Sequence, residues 1–332
     1  MALNIIDIAK LAGVSKSTVS RYLNNGYVSE EVRKKIQKVI EETGFQPQRH
    51  AKGMRTKKTN LIGVIVPKIS TETIARVVEG MTEVFSPKGY DVLIANTNLS
   101  IEKEIEYLNI FKNNNVDGIM FLATKVTESH IKVMNEVQVP IVVVAQKVEG
   151  YPSVFHDDYN AAKECTKLLI NEGHKNIGFI GVYEEDISVG YYRKKGYVDV
   201  LSEEGIELNN ENLKIGNFSP QSGYELAKSL MERKDKPTAI FAVTDNIALG
   251  AIDYLNENNY KIPEDIAIIG MGDSRFSSFI TPKLSTVHFH YKTSGIESAK
   301  IMYKMLENGI SSSKNINENI KLNYRLIKRD SI

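Results

Sequence analysis

Apolar residues along the chain follow two rhythms. In the first 45 positions they recur at helical spacing: Ile5, Ile8, Ala9 and Ala12, then Val19 and Leu23, then Val32, Ile36, Val39 and Ile40. Polar punctuation brackets each run. Asn4 is placed to cap the first helix, with Asp7 in its first turn, and Gly13 ends it. Ser15 is placed to cap a second helix from Lys16 to about Leu23. Ser29, followed by Glu30 and Glu31, opens a third that Gly44 stops. Two short helices joined by a tight turn and closed by a third predict a small all-α helix-turn-helix head. From residue 61 the rhythm changes. Short apolar runs at 61–67, 91–96, 117–123, 140–146, 176–181, 239–244 and 266–272 alternate with helical stretches near 71–88, 101–114, 127–136, 159–173, 189–204, 221–233 and 246–258. Strands alternating with helices predict parallel sheets covered on both faces. The alternation falls into two successive groups of similar size, which predicts an α/β body of two parallel-sheet lobes with a cleft between them. The stretch QPQRHAKGMRTKKTN joins the two regimes with little apolar content. The expected organisation is therefore a head at 1–47, a hinge at 48–60 and a bilobed body at 61–332.

Charge sharpens this division. The whole 332-residue chain carries 42 Lys and Arg against 41 Asp and Glu, yet residues 1–60 hold twelve basic and five acidic side chains, leaving 30 against 36 in the remainder. A basic head on an acidic body presents one end to a polyanion. The outward face of the second helix fits that partner. Lys16, Ser17 and Arg21 are placed to reach base edges in a major groove, with Arg21 suited to the O6 and N7 of guanine. Ser15, Thr18 and Ser20 suit phosphates, which position without specifying. Asn24 lies just past the helix. In the hinge, Pro47 starts a short helix containing Arg49, Ala51 and Met54, in which Arg49 (or Lys52) is placed to grip the backbone and Met54 to wedge into the minor groove. A plain flexible linker is the alternative.

The strand ends of the body gather candidates for a ligand site, because open α/β sheets bind ligands beyond the carboxyl ends of their strands. They are Ser70 and Thr71 after the first strand, Gln146 after the fourth, Arg193 on a following helix, Thr244 and Asp245 after AIFAV, Asp273 in GMGDS, and Phe289 between His288 and His290. Hydroxyls, an amide, one guanidinium and carboxylates around an aromatic ring suit a polyol better than a reaction. Asp157 and Asp158 are adjacent, so on a strand they point to opposite faces and make a poor catalytic pair. The two histidines of HFH lack an evident third ligand, so no metal is expected. No phosphate-binding loop, nucleophile elbow or zinc-protease motif occurs, and neither an enzyme nor a cofactor is expected. A single cysteine, Cys165, rules out an intrachain disulfide. The chain start shows no secretory pattern and no apolar run approaches membrane length, so the expected location is the cytoplasm.

The motif DIAKLAGVSKSTVSRYLN and the hinge-like QPQRHAKGMRTKKT resemble the lactose/galactose-repressor (LacI-type) family, and the similarity continues through RKKGY, VTDNIALGA and GMGDSRFSSFITPKLSTVHFHY. Within that family, VPKIS, GMGDS and HFHYKTSG are most similar to the sucrose-type repressors of Gram-positive bacteria. The resemblance implies a periplasmic-binding-protein-like body and a homodimer. That dimer would bind a pseudo-palindromic double-stranded DNA operator and be released by a sugar or sugar-phosphate effector. It places Arg193, Thr244, Asp245 and Phe289 on effector positions. Met54 stands where the family inserts a leucine between base pairs. The acid many members carry at the position of Gly272 is displaced here to Asp273, which either reaches the ligand or caps the next turn. A corepressor-dependent regulator that uses a phosphorylated protein, and a sugar-binding protein with no DNA role, are the competing readings.

Overall fold

The computed structural model describes residues 3–23, 26–45, 58–113, 116–313, 316 and 318–332. Asn24 and the hinge residues Arg49, Ala51 and Met54 lie outside them. The chain divides into two compact units, residues 1–59 and 60–332.

In the head, α1 (Ile5–Leu11), α2 (Lys16–Leu23) and α3 (Glu30–Thr43) close around Ile8, Ala9, Ala12, Val19, Ile36 and Phe45. A reciprocal cap starts α1: Asn4 Oδ1 accepts from the amides of Ile6 (2.8 Å) and Asp7 (3.3 Å), and Asp7 Oδ2 accepts from the Asn4 amide at 2.9 Å. Ser15 Oγ accepts from the Thr18 amide at 3.1 Å and so caps α2. Ser29 precedes α3 in an extended conformation, but its side chain makes no capping bond. Gly44 ends α3 with φ of 62°, a left-handed position that glycine adopts without Cβ strain.

The body has two lobes. In the first, a six-stranded sheet runs in the order β11-β5-β4-β3-β1-β2, built from β1 (Leu61–Val66), β2 (Asp91–Asn96), β3 (Gly118–Leu122), β4 (Ile141–Val144), β5 (Ser153–His156) and β11 (Asn319–Leu322). The second carries a four-stranded sheet in the order β7-β6-β8-β9, from β6 (Ile177–Val182), β7 (Leu213–Gly216), β8 (Ala239–Ala242) and β9 (Ala267–Ile269). Every pairing in both sheets is parallel. β1, β3, β4, β6 and β8 are buried on both faces, as uninterrupted apolar runs require. The covering helices are α4 (Glu72–Phe85), α5 (Ile101–Asn113), α6 (Glu128–Glu136), α7 (Asp158–Asn171), α8 (Arg193–Glu203), α9 (Pro220–Met231), α10 (Asp245–Glu257) and α11 (Tyr291–Glu307). Two helix pairs approach to backbone contact. A Cβ on Gly80 or Gly295 would collide with a carbonyl across the α4–α11 seam, and one on Gly223 or Gly250 would do the same between α9 and α10.

The lobes do not follow one another in sequence, as the two successive groups of strands predicted. After β5 the chain passes into α7 and the second lobe. After β10 (Thr286–Phe289) it returns to place α11 against α4 and β11 beside β5. It then crosses again to pair β12 (Tyr324–Ile327) antiparallel with β10. The three crossings lie at 156–158, 289–291 and 322–324. Side chains tie them together: His156 packs on Phe289 and Tyr291 with ring centroids 5.2 Å away in each case, and Lys321 bonds Asp157 at 2.7 Å. The helix expected over 189–204 begins with a π-helical turn, Ile187–Tyr192, before α8. Among the described residues, no helix is long and apolar enough to cross a membrane.

Candidate functional site

The first site is the outer face of α2. Val19 points into the core, which leaves Lys16, Ser17 and Arg21 exposed and Thr18 and Ser20 half-buried. Ser15 Oγ lies 2.7 Å from Ser17 Oγ and 2.8 Å from Thr18 Oγ1, so the helix start presents a connected group of hydroxyls. Behind it, the Arg33 guanidinium sits 5.5 Å from the ring centre of Tyr22 and braces α3 against α2. The surface offers donors, acceptors and cations on a rigid helix at the start of which no acid stands. That chemistry matches groove edges and phosphates.

The second site is a cavity of about 560 Å³ between the lobes. Of the residues read from the sequence, Ser70, Thr71, Arg193, Thr244 and Asp245 line it. Thr71 and Thr244 also cap α4 and α10, accepting from the amides of Ile74 and Ile247 at 3.3 Å. Three expected residues lie off its wall. Asp273 turns away from the cavity, with φ of 47°. Its carboxylate accepts from Arg329 at 2.6 Å and lies 2.8 Å from His288 Nδ1, and these partners hold it below the usual carboxylate range against the opposing effect of burial. Its role is to pin the segment after β9 to the end of the chain rather than to face a ligand. Phe289 lies behind Arg193, its ring centre 4.8 Å from the guanidinium carbon. Gln146 is buried behind Ala145, which does line the wall, and its Nε2 has no hydrogen-bond partner among the described residues.

Arg193 organises the inner wall. It is 4% exposed, and Asp158 is 5% exposed. Nε and Nη2 both donate to Asp158 Oδ1, at 2.8 and 2.6 Å, and Nη1 donates to the carbonyl of Val243. Burial works against the guanidinium charge, but Asp158 and Tyr291 outweigh it and raise the pKa. Asp245 accepts from Thr286 Oγ1 and from the Ser274 amide, and burial pushes its carboxyl up to about 6. Asp186, which caps the π-turn by accepting from the Val189 amide at 2.9 Å, is likewise pushed up to about 6 by burial. Burial lowers the His156 imidazole to about 4, so it is neutral, and its buried Nε2 has no hydrogen-bond partner among the described residues. His156 belongs to the cavity wall, and an orphaned polar atom there is what a polar ligand would satisfy.

The lobes touch across both rims. On one, Glu72 Oε2 accepts from the Arg275 amide at 3.1 Å and Arg76 donates to the Asp273 carbonyl at 3.2 Å. On the other, the Ile187 amide donates to the Thr124 carbonyl at 3.2 Å and Ser188 Oγ to the Ala145 carbonyl at 2.7 Å. Sequence reading missed Asp158, Asp186, His156 and Tyr291. Asp158 was visible only as half of an adjacent acid pair. Its separation from Asp157 follows from their places at the start of α7, where Asp157 caps the helix and meets Lys321 while Asp158 turns inward to Arg193.

Both parts of the chain match known families. Residues 4–48 match the bacterial regulatory proteins of the lacI family, and residues 59–329 match the periplasmic binding proteins and sugar-binding domain of the same family. The sucrose operon repressor of Staphylococcus xylosus is 33% identical over 307 residues, covering 92% of this chain and 95% of that protein. The catabolite control protein A of Priestia megaterium is 36% identical over 291 residues, covering 86% and 87%. Among solved structures, a lac repressor dimer bound to operator and an anti-inducer shares the fold, with a TM-score of 0.87 over 100% of this chain and 99% of that one at 22% identity. A helix-turn-helix head with a cation-and-hydroxyl recognition face, joined to a two-lobed polar cavity, thus has its counterpart in a single family over nearly the whole chain: the chain belongs to the LacI family of bacterial regulatory proteins, which are DNA-binding transcriptional regulators.

Proposed function

We propose that the chain is a carbohydrate-responsive repressor that holds an operator as a homodimer and lets it go when a sugar fills the interlobe cavity. The observation that carries this is the cavity itself: a cleft between the lobes lined by hydroxyls, carboxylates and a guanidinium, with the buried His156 Nε2 lacking a partner among the described residues, on a chain whose other unit presents an exposed helix of cations and hydroxyls. On this reading Lys16, Ser17 and Arg21 contact bases, and Ser15, Thr18 and Ser20 contact phosphates. Asn24, Arg49, Ala51 and Met54 extend the DNA contact, and Ser70, Thr71, Arg193, Thr244 and Asp245 contact the effector. The relatives that repress a sucrose operon or control catabolite response favour a sugar. Exposed apolar side chains support the dimer. Leu93 and Ile94 stand on the edge strand β2, and Phe276 and Phe279 on the loop after β9, with Phe279 82% exposed. The chain works in the cytoplasm, where its DNA is, and performs no catalysis.

Effector and operator binding are reciprocally coupled on this reading, because both depend on how the lobes are set. The test is operator binding by fluorescence anisotropy at fixed salt, using the DNA upstream of the chain's own gene, with and without a panel of sugars. Release by one sugar is the expected result. Tighter binding with a sugar reverses the sign and makes the ligand a corepressor. Absence of operator binding under every condition overturns the reading.

A further inference from the structure

Charge divides the cavity wall into two zones. Around the mouth stand Lys68 and Arg275, both exposed, and the Glu72–Arg76 pair. The inner wall holds three carboxylates, Asp158, Asp186 and Asp245, and one guanidinium, Arg193. That guanidinium is already matched. Two of its nitrogens bond a single oxygen of Asp158, a third bonds the Val243 carbonyl, and its face lies on Phe289. Arg193 therefore offers an incoming group hydrogen-bond donors but little uncompensated positive charge. Asp186 and Asp245 have no cation of their own. Asp245 is held by a hydroxyl and an amide, and Asp186 by a backbone amide at the start of the π-turn. Asp186, Asp158 and Arg193 all line the one cavity. Both acids titrate near 6 and carry charge at pH 7.5. His156, the remaining basic side chain of this wall, is neutral.

We propose that the cavity takes an uncharged polyhydroxy ligand and discriminates against the phosphorylated form of the same sugar, through the excess of carboxylate over available cation on its inner wall. This rests on reading the cavity as a sugar site. Hydroxyl groups donate to carboxylates, accept from the remaining guanidinium hydrogens and satisfy His156 Nε2. A phosphate seated against the inner wall would instead lie beside two like charges, where the guanidinium of Arg193 is already paired with Asp158 and the low dielectric makes repulsion costly. A cationic sugar would be drawn to the same carboxylates.

The test is calorimetric titration of the full chain at pH 7.5 with matched pairs: glucose and glucose 6-phosphate, fructose and fructose 6-phosphate, sucrose and sucrose 6-phosphate. Glucosamine is set against glucose. The expected result is that one uncharged member binds, with its phosphate ester weaker by about tenfold or more. In Asp186→Asn, which keeps an acceptor for the Val189 amide, that ratio should shrink several-fold. A phosphate ester that binds as tightly as its parent sugar, or glucosamine binding more weakly than glucose, overturns the proposal and leaves the sugar reading standing. If no member of any pair binds while operator binding is intact, the sugar reading itself fails and this inference with it.

Discussion

The head and the cavity do their work in opposite physical regimes. The head gathers Ile8, Val19 and Ile36, fully buried, at its centre and keeps its working residues outside, on the exposed turns of α2. Its chemistry needs no burial, because the partner brings the charge and displaces the water. The cavity puts its working groups inside, where each ion must be matched by a partner on another element: Arg193 on α8 by Asp158 on α7, Asp245 on α10 by Thr286 on β10 and by the amide of Ser274. Function and stability are nearly separate in the head and inseparable in the cavity.

Substitutions can break or sharpen that contrast. The largest effect belongs to Arg193→Ala. Removing one partner of a buried pair strands Asp158, and the body should lose about 3–5 kcal/mol together with its effector response. Urea denaturation followed by tyrosine fluorescence measures the first, since the chain has no tryptophan. A loss below about 1 kcal/mol would mean the pair behaves like a surface one. Next comes His156→Phe. The imidazole titrates near 4 in the fold against 6.5 when free. Its neutral form therefore contributes fully above about pH 6.5, and that contribution drains away as the pH falls toward 4. At pH 5 the wild type should have lost about 2 kcal/mol that the phenylalanine variant retains. Parallel stability–pH curves for the two proteins would show that His156 is not held neutral. Smaller still, Asn4→Ala removes the cap on α1 and should cost the head about 1 kcal/mol, seen as earlier loss of operator binding on heating with effector binding unchanged. Arg21→Ala should leave stability within about 0.5 kcal/mol yet lose roughly 1–3 kcal/mol of discrimination between operator and mutated operator. A fall in stability with no change in discrimination would reverse the contrast for the head.

The same contrast governs what the sequence made legible. The head was readable because every determinant lies within a turn or two of its partner: Asn4 with Asp7, Ser15 with Thr18, Val19 four residues from Leu23. The buried strands β1, β3, β4, β6, β8 and β9 were readable as apolar runs, while β5 and β10 were not. β7 and β11 were not, being half-exposed edge strands with no apolar run. α11 was not read either, since its stripe follows motifs that drew attention to individual residues. In the cavity, single residues at strand ends could be nominated, and five of them line the wall. Their partners lie tens of residues away, so neither the Arg193–Asp158 pair nor the retreat of Asp273 to Arg329 could be seen. The lobe order failed for a related reason: nothing local marks where a chain leaves one sheet for another.

The three crossings between the lobes have a mechanical consequence. A single tether would let two rigid bodies swivel about any axis. Tethers that leave neighbouring strands, as those after β5 and β11 do, joined by a third whose rings pack edge-on against His156, leave little freedom beyond a narrow hinge or shear. Opening and closing is then close to a one-coordinate motion, and most of the orientational entropy that two free bodies would lose on meeting has already been removed by covalent structure. A ligand of a few dozen atoms has only to tilt that single coordinate to reset the whole molecule.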